Sequence, residues 1–588
     1  MNKKFIPLFI LMFAFIGMCM VFAQQNSEEA KFQKALDSYL DDLWKFYPTA
    51  ATLTGYHNYD NKLEDLSKRN IEKRHEALDK FNQEFVAKVD QSKLSPDLQD
   101  DFMMIIDALD YELLKHEALL PWEYNPIFYN DIFMNCIRSL LAKDFAPLDT
   151  RAKNAVERIK DLPKFIKQAK ENLKNPPQIY TEVAIKQFPA ILDFYRNELP
   201  QLIAQAPAAH KSKLESGLSK VIPELESYQS FLKNELLPRS TGNFRLGEAH
   251  RRLLRIKLQN NITLEELISR ARADYNNIRR EMFLVSIPFY KIMEPKFDVE
   301  HPPATLTEEQ LKNTMISHVL DKIKTDHVPQ SEFINKIKSI SEEIKIFIDD
   351  NELLDIPDIP LLIEQMPVEN QGVTWTRLFT PGVYETDGTY KCQISPLADD
   401  LTEEQVQSLL EEYNNYFLPF YVVRKVYPGQ FVPIFFARQN PSLVRKLYPN
   451  LPLIKGWPVF VEEMLVSSGF GNYDLRLRLN QLKYRLKAVI DFLLDLNIHE
   501  GGMTKEQAVD YMMRGGFQTK AEAERNWDRI ALLPGDGGYT YVGMQELMEA
   551  EIEYQKMKGE SFSRKEFLKK ILSFGGLHLR QLRKKIME

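Results

Sequence analysis

Apolar residues recur every three or four positions along most of this 588-residue chain, and prolines and short polar stretches interrupt the recurrence. After Ser27 the apolar positions are Phe32, Leu36, Tyr39, Leu40, Leu43 and Phe46. That spacing lines one face of an α-helix, because a helix completes a turn in about 3.6 residues. The same periodicity runs through residues 71–89, 96–116, 149–173 and 209–237, with Asn175-Pro176-Pro177 and Leu237-Pro238 as interruptions. Helical segments joined by short breaks predict antiparallel helices packed on one another. Ser27 before Glu28 and Glu29 marks one helix start, and Thr263 with Glu266 three residues on predicts a capping box at another.

The periodicity fails twice. Residues 294–307 contain His301-Pro302-Pro303 and predict a surface connection. Between Pro360 and Pro396 the pattern becomes strand-like. Leu361 to Met366 reads as one strand, and Gly382-Val383-Tyr384 and Tyr390 to Ile394 read as a pair folded around Asp387-Gly388, a hairpin turn signal. Helix resumes at Thr402-Glu403-Glu404-Gln405. The expected fold is therefore mainly α, with a small antiparallel β-sheet near residues 360–396. The length exceeds what one core needs. The regions expected are a leader at 1–23, N-terminal helices at 24–292, a connecting region at 293–396 and C-terminal helices at 397–588.

Charge narrows the function. Lys plus Arg total 76 against 83 for Asp plus Glu, a net charge of −7, so no general basic excess exists to displace phosphate counterions from nucleic acid. Lys3 and Lys4 precede an apolar run over 5–21, then Phe22-Ala23 and polar Gln24-Gln25. A charged start, an apolar middle and a small residue at a polar boundary describe a secretory signal, with cleavage expected after Ala23. Cys19 follows Met18, a larger residue than lipoprotein processing usually tolerates. An exported protein is expected, periplasmic or extracellular and free of the membrane once the leader is removed. Cys136 and Cys392 then remain, and Cys136 lies in an apolar stretch that predicts a buried free thiol.

No catalytic constellation is complete in the sequence. His75-Glu76, His116-Glu117 and His499-Glu500 each begin a zincin pattern, but none has a second His four positions later. There is no nucleophile elbow, phosphate-binding loop or dinucleotide fingerprint.

The stretch Val423-Arg424-Lys425-Val426-Tyr427-Pro428-Gly429-Gln430 resembles the H-E-V-Y-P-G-H element of a bacterial family, domain of unknown function 885. Lys455-Gly456-Trp457-Pro458-Val459-Phe460-Val461-Glu462-Glu463-Met464 resembles its E-G-W-A-x-Y-x-E-x-M block. Ala437-Arg438-Gln439-Asn440-Pro441-Ser442, Asn497-Ile498-His499 and, upstream, Thr54-Gly55-Tyr56-His57 are similar to further family blocks. The resemblance implies a multi-helix, gluzincin-like zinc peptidase scaffold around a cleft.

This chain departs from the pattern where the chemistry would sit. The first His is Arg424, its neighbouring Glu is Lys425, the second His is Gln430, and the Glu implied as third ligand is Lys455. None of these is a zinc donor. One positive charge about 4 Å from a divalent ion costs roughly 8 kcal/mol at an effective dielectric near 20. Two or three such charges offset most of the ~10–16 kcal/mol of a good structural zinc site. The general base goes with the Glu. No cofactor is expected, although the family implies zinc. Thr540 stands where the family carries a Tyr, flanked by Tyr539 and Tyr541.

Arg424, Lys425 and Lys455 are expected either to form an anion pocket or, the favoured expectation, to pair with carboxylates such as Glu462 and Glu463. These two should diverge by about 100° on a helix, one facing in and one out. His499, Tyr539, Tyr541 and Trp457 are candidates for substrate contact, with core packing the favoured expectation for Trp457 and a hydrogen-bonded helix-end role the equal alternative for His499. Pro433 is expected to kink or shorten the former metal-binding helix, and Pro458 to lie in a helix first turn. The function expected is that of an exported, catalytically inactive relative of the peptidases, binding a peptide or protein partner. The alternative is a hydrolase using other residues or another metal arrangement.

Overall fold

The computed structural model describes residues 27–299, 301–366, 376–385, 388–395 and 402–588. The leader therefore lies outside the described residues. The chain divides into two compact units, Met1–Gly242 and Asn243–Glu588. Residues 243–292, grouped with the N-terminal helices on sequence, lie in the second unit.

In the first unit the apolar periodicity is realised as helices over 27–46, Lys68–Lys88, Pro96–Leu114, Leu148–Asn172 and Ala208–Phe231, among others. Phe32, Phe85 and Phe102 of the first three pack against one another. Helices Leu148–Asn172 and Ala208–Phe231 meet Pro126–Leu141 and Gln178–Asp193 in one core that includes Phe133, Phe165, Phe188 and Tyr228. Arg158 is wholly buried within it. Its guanidinium donates to the Cys136 carbonyl at 2.8 Å, the Pro48 carbonyl at 3.0 Å and Thr52 Oγ1 at 2.6 Å. A buried cation is tolerated where hydrogen bonds replace its water. Cys136 and Cys392 are both free and buried.

The second unit is built around helix Leu475–His499, which buries residues on every side, from Leu477, Leu479 and Leu482 to Phe492, Leu494 and Ile498. Its charged residues are at most partly exposed and are ion-paired, as Arg478 is with Glu463 and Asp491 with Arg529. Helices Leu264–Met293, Leu451–Ser467 and Gly537–Lys558 pack in the same unit. Thr402 and Gln405 close a full capping box at Glu403–Glu412. At Leu264–Met293 only half of the predicted box forms. Thr263 accepts from the Glu266 amide, while the Glu266 carboxylate turns to Arg270 at 2.6 Å.

The small sheet corrects the expected pairing. Its strands β1 (Leu361–Gln365), β2 (Thr376–Phe379) and β3 (Tyr390–Ile394) lie in the order β1-β3-β2. β1 runs parallel to β3, with Leu361 opposite Tyr390, and β2 runs antiparallel, with Phe379 opposite Lys391. The sheet is thus mixed, and the partner of β3 is 376–379 rather than 382–384. β3 is buried along most of its length, so a strand on each side is what satisfies its amides and carbonyls. Asp387 of the predicted turn lies outside the described residues.

Candidate functional site

The motif residues meet through a chain reversal. Helix Leu418–Lys425 ends at Lys425, and a second helix, Phe431–Gln439, starts after Gln430. Between them the chain folds back on the last helical turn. A Cβ on Gly429 would sit 2.5 Å from the Val423 carbonyl oxygen and 2.6 Å from that of Arg424, so only glycine fits there. The break lies at Val426–Gly429 and not at Pro433. Pro433 falls in the first turn of the second helix, where its missing N–H has no intrahelical partner to lose.

Lys455 arrives on helix Leu451–Ser467. There Pro452, not Pro458, occupies the first turn, and Pro458 lies inside the helix. Gly456 and Gly543 set how closely this helix meets Gly537–Lys558. A Cβ on Gly456 would lie 2.3 Å from the Gly543 carbonyl carbon, and one on Gly543 only 1.8 Å from the Pro452 oxygen. The two backbones touch, which explains glycine at both motif positions.

Three of the four substituted positions are tied into local contacts. Arg424 grips Glu462 through two N–H groups, Nε to Oε1 and Nη2 to Oε2, the latter at 2.8 Å. Glu462 is fully buried and the Arg424 side chain is 18% exposed. Arg424 also lies 5.0 Å from the centre of the Tyr484 ring, which stacks on Phe417. Against desolvation, which favours the neutral form, the Glu462 charge holds the guanidinium pKa above its ordinary value. Lys455 Nζ donates to Gln430 Oε1 at 3.1 Å. Lys425 keeps solvent access although protein crowds around it. Desolvation, then the cations Lys455, Arg424 and Arg529, push its ammonium down to about 8.

Glu462 and Glu463 diverge as helix geometry requires. Glu462 faces Arg424, and Glu463 accepts from Arg478 at 2.8 Å and Gln481 at 3.0 Å. Arg529 joins the cation neighbourhood from helix Lys520–Leu532, bonded to Asp491 at 2.7 Å. Sequence reasoning missed it, and nothing in its amphipathic surroundings marks it apart from other surface arginines.

The remaining candidates sit in the interior. Trp457 is wholly buried. His499 is 1% exposed, donates from Nε2 to the Ile530 carbonyl at 3.0 Å and stacks on His250. Burial lowers its pKa, which favours the neutral ring. Tyr541 is buried, with its hydroxyl donating to Asp274 at 2.9 Å, and Tyr539 lies beside Lys257. Thr540 is half-buried between them. A cavity of about 790 Å³ in this unit is lined elsewhere, by residues such as Tyr275, Asn497, Tyr511 and Arg514.

The donor set does not fit zinc. At the positions that the resemblance assigns to ligands stand a guanidinium already committed to a carboxylate, and an ammonium bonded to a neutral amide. Among the described residues no three His, Cys, Asp or Glu side chains converge where a metal could be held.

A family described as bacterial proteins of unknown function, DUF885, matches residues 48–586. A solved structure of a candidate lipoprotein of unknown function from Shewanella oneidensis is 25% identical, with a TM-score of 0.80 over 95% of this chain and 100% of that one. A candidate lipoprotein from Colwellia psychrerythraea shares the fold at 14% identity, with a TM-score of 0.73 over 96% of this chain and 98% of that one. No curated protein matches the sequence. Among the described residues no helix is long and apolar enough to cross a membrane.

Proposed function

This chain belongs to the DUF885 family of bacterial proteins of unknown function, and we propose that it is an exported member that binds a peptide or protein partner without hydrolysing it. The observation that carries this reading is the bidentate Arg424–Glu462 pair, which occupies the position of the first family His. A guanidinium there offers no lone pair to a metal and supplies no base. Lys425, standing for the family Glu, has no lone pair to offer water while protonated. Export is supported by the leader-like residues 1–23 and by the description of the two similar solved structures as candidate lipoproteins.

The test is elemental analysis of the mature protein, purified without chelator or a His tag, combined with mass spectrometry of a peptide mixture incubated with it. The expected result is less than a tenth of a zinc per chain and an unchanged peptide mixture. Near-stoichiometric zinc accompanied by peptide cleavage, both removed by a chelator, would overturn the reading in favour of a hydrolase with a different ligand set.

A further inference from the structure

The cluster carries more positive charge than its carboxylates neutralise. Arg424 is answered by Glu462, and Arg529 by Asp491. Lys455 has for its hydrogen-bond partner the uncharged Gln430 amide. Asp536, the acid that most influences Lys455, is itself paired with Lys257 at 2.6 Å. Among the described residues the Lys425 ammonium has no ion pair or side-chain hydrogen bond, and its strongest charged neighbours are cations. Like charges gathered without a full set of counter-charges repel one another, and an anion that joins them relieves that repulsion.

The polar groups left around them are donors. Both ammonium groups offer donors only. Gln430 spends its oxygen on Lys455, so its Nε2 remains as a further donor. Three neighbouring groups that offer N–H and withhold acceptors match a ligand atom set that is all acceptor, as in a carboxylate or phosphate. The reversal at Gly429 fixes the backbone that carries Gln430 next to Lys455, while Lys425 closes the preceding helix.

We propose that Lys425, Lys455 and the Gln430 amide form an oxyanion site at the former metal position, which takes a terminal carboxylate or a free phosphate. This rests on the non-hydrolytic reading above and names the ligand chemistry of the same site. The experiment is calorimetric titration of the mature protein near neutral pH with three probes: inorganic phosphate, a short peptide with a free C-terminal carboxylate, and the same peptide as its C-terminal amide. The peptides are recovered afterwards and weighed.

Saturable binding of the acid peptide, with at least tenfold weaker binding of the amide, assigns a peptide carboxylate. Saturable binding of phosphate alone assigns a free oxyanion. In either case Lys425→Met and Lys455→Met should each weaken binding at least tenfold, and Lys425→Arg should retain most of it. Lys425 is exposed, so its variants should fold, and circular dichroism checks this. Intact peptides with no binding of any probe, or binding unchanged by Lys425→Met and Lys455→Met, would overturn the oxyanion site while leaving the non-hydrolytic reading standing. A shortened peptide would refute the non-hydrolytic reading instead, and with it the proposal built on it.

Discussion

Replacing Glu462 by Gln removes the carboxylate that Arg424 grips with two N–H groups, and the cost can be worked from the site. Glu462 is 0% exposed and the Arg424 side chain 18% exposed, so the pair is largely desolvated. Removing one partner of a buried pair costs about 3–5 kcal/mol, because the other charge is left buried. The orphaned guanidinium of E462Q keeps partial solvent access and the Tyr484 ring face at 5.0 Å, a contact of about 1 kcal/mol. The expected loss for E462Q is therefore at the lower end, about 3 kcal/mol. Arg424→Met leaves the fully buried carboxylate alone and should cost about 4 kcal/mol at pH 7. An orphaned buried carboxyl takes up a proton more readily than an unfolded one. The R424M deficit should therefore shrink as pH falls from 7 towards 5, because the folded state then binds more protons than the unfolded state. The double variant Arg424→Met, Glu462→Leu removes both charges and should lie within about 1–2 kcal/mol of the parent. The assay is urea unfolding followed by tryptophan emission, since Trp457 shares the helix of Glu462. Single costs below about 1 kcal/mol, or a double variant less stable than both singles, would show that the pair does not hold the site.

Two further outcomes are expected. Gly543→Ala would place a Cβ 1.8 Å from the Pro452 oxygen, forcing two backbones apart. It should cost about 3 kcal/mol or more in the same unfolding assay, and a cost below about 1 kcal/mol would mean that this crossing is not set by backbone contact. Lys425 loses its proton in the folded state near pH 8, whereas an unfolded lysine keeps it until about 10.4. Between those values the unfolded chain binds more protons, so this residue adds stability as pH rises. Relative to Lys425→Met, the parent should gain stability between pH 7 and pH 10, and a difference flat across that range would refute the depressed pKa.

The helices were legible because their causes are local. Apolar spacing of three and four, and a Thr bonded to a Gln three residues on, act within a turn or two of chain, so Thr402 and Gln405 could be read as a cap before any fold was known. The absence of zinc donors at Arg424, Gln430 and Lys455 was equally a matter of residue type. The roles of the two prolines were not legible, since the reversal at Gly429 and the start of the next helix at Phe431 decide where Pro433 falls. The pairing of β3 with a strand on each side depended on its burial, a property of the whole unit. For His499 the sequence leaves groove contact and a hydrogen-bonded helix end equally open, and only the fold, which sets it at the end of its helix against His250 and the Ile530 carbonyl, selects the second. The division of charges was the least legible. Sequence supplied Arg424, Lys425, Lys455 and two candidate carboxylates, and the folded backbone brought Glu462 to Arg424 across 38 residues while turning Glu463 to Arg478. Helical periodicity is short-ranged and survives in one dimension. Which cation keeps a counter-charge and which does not depends on distances of a few ångströms between remote segments, and these exist only once the chain is folded.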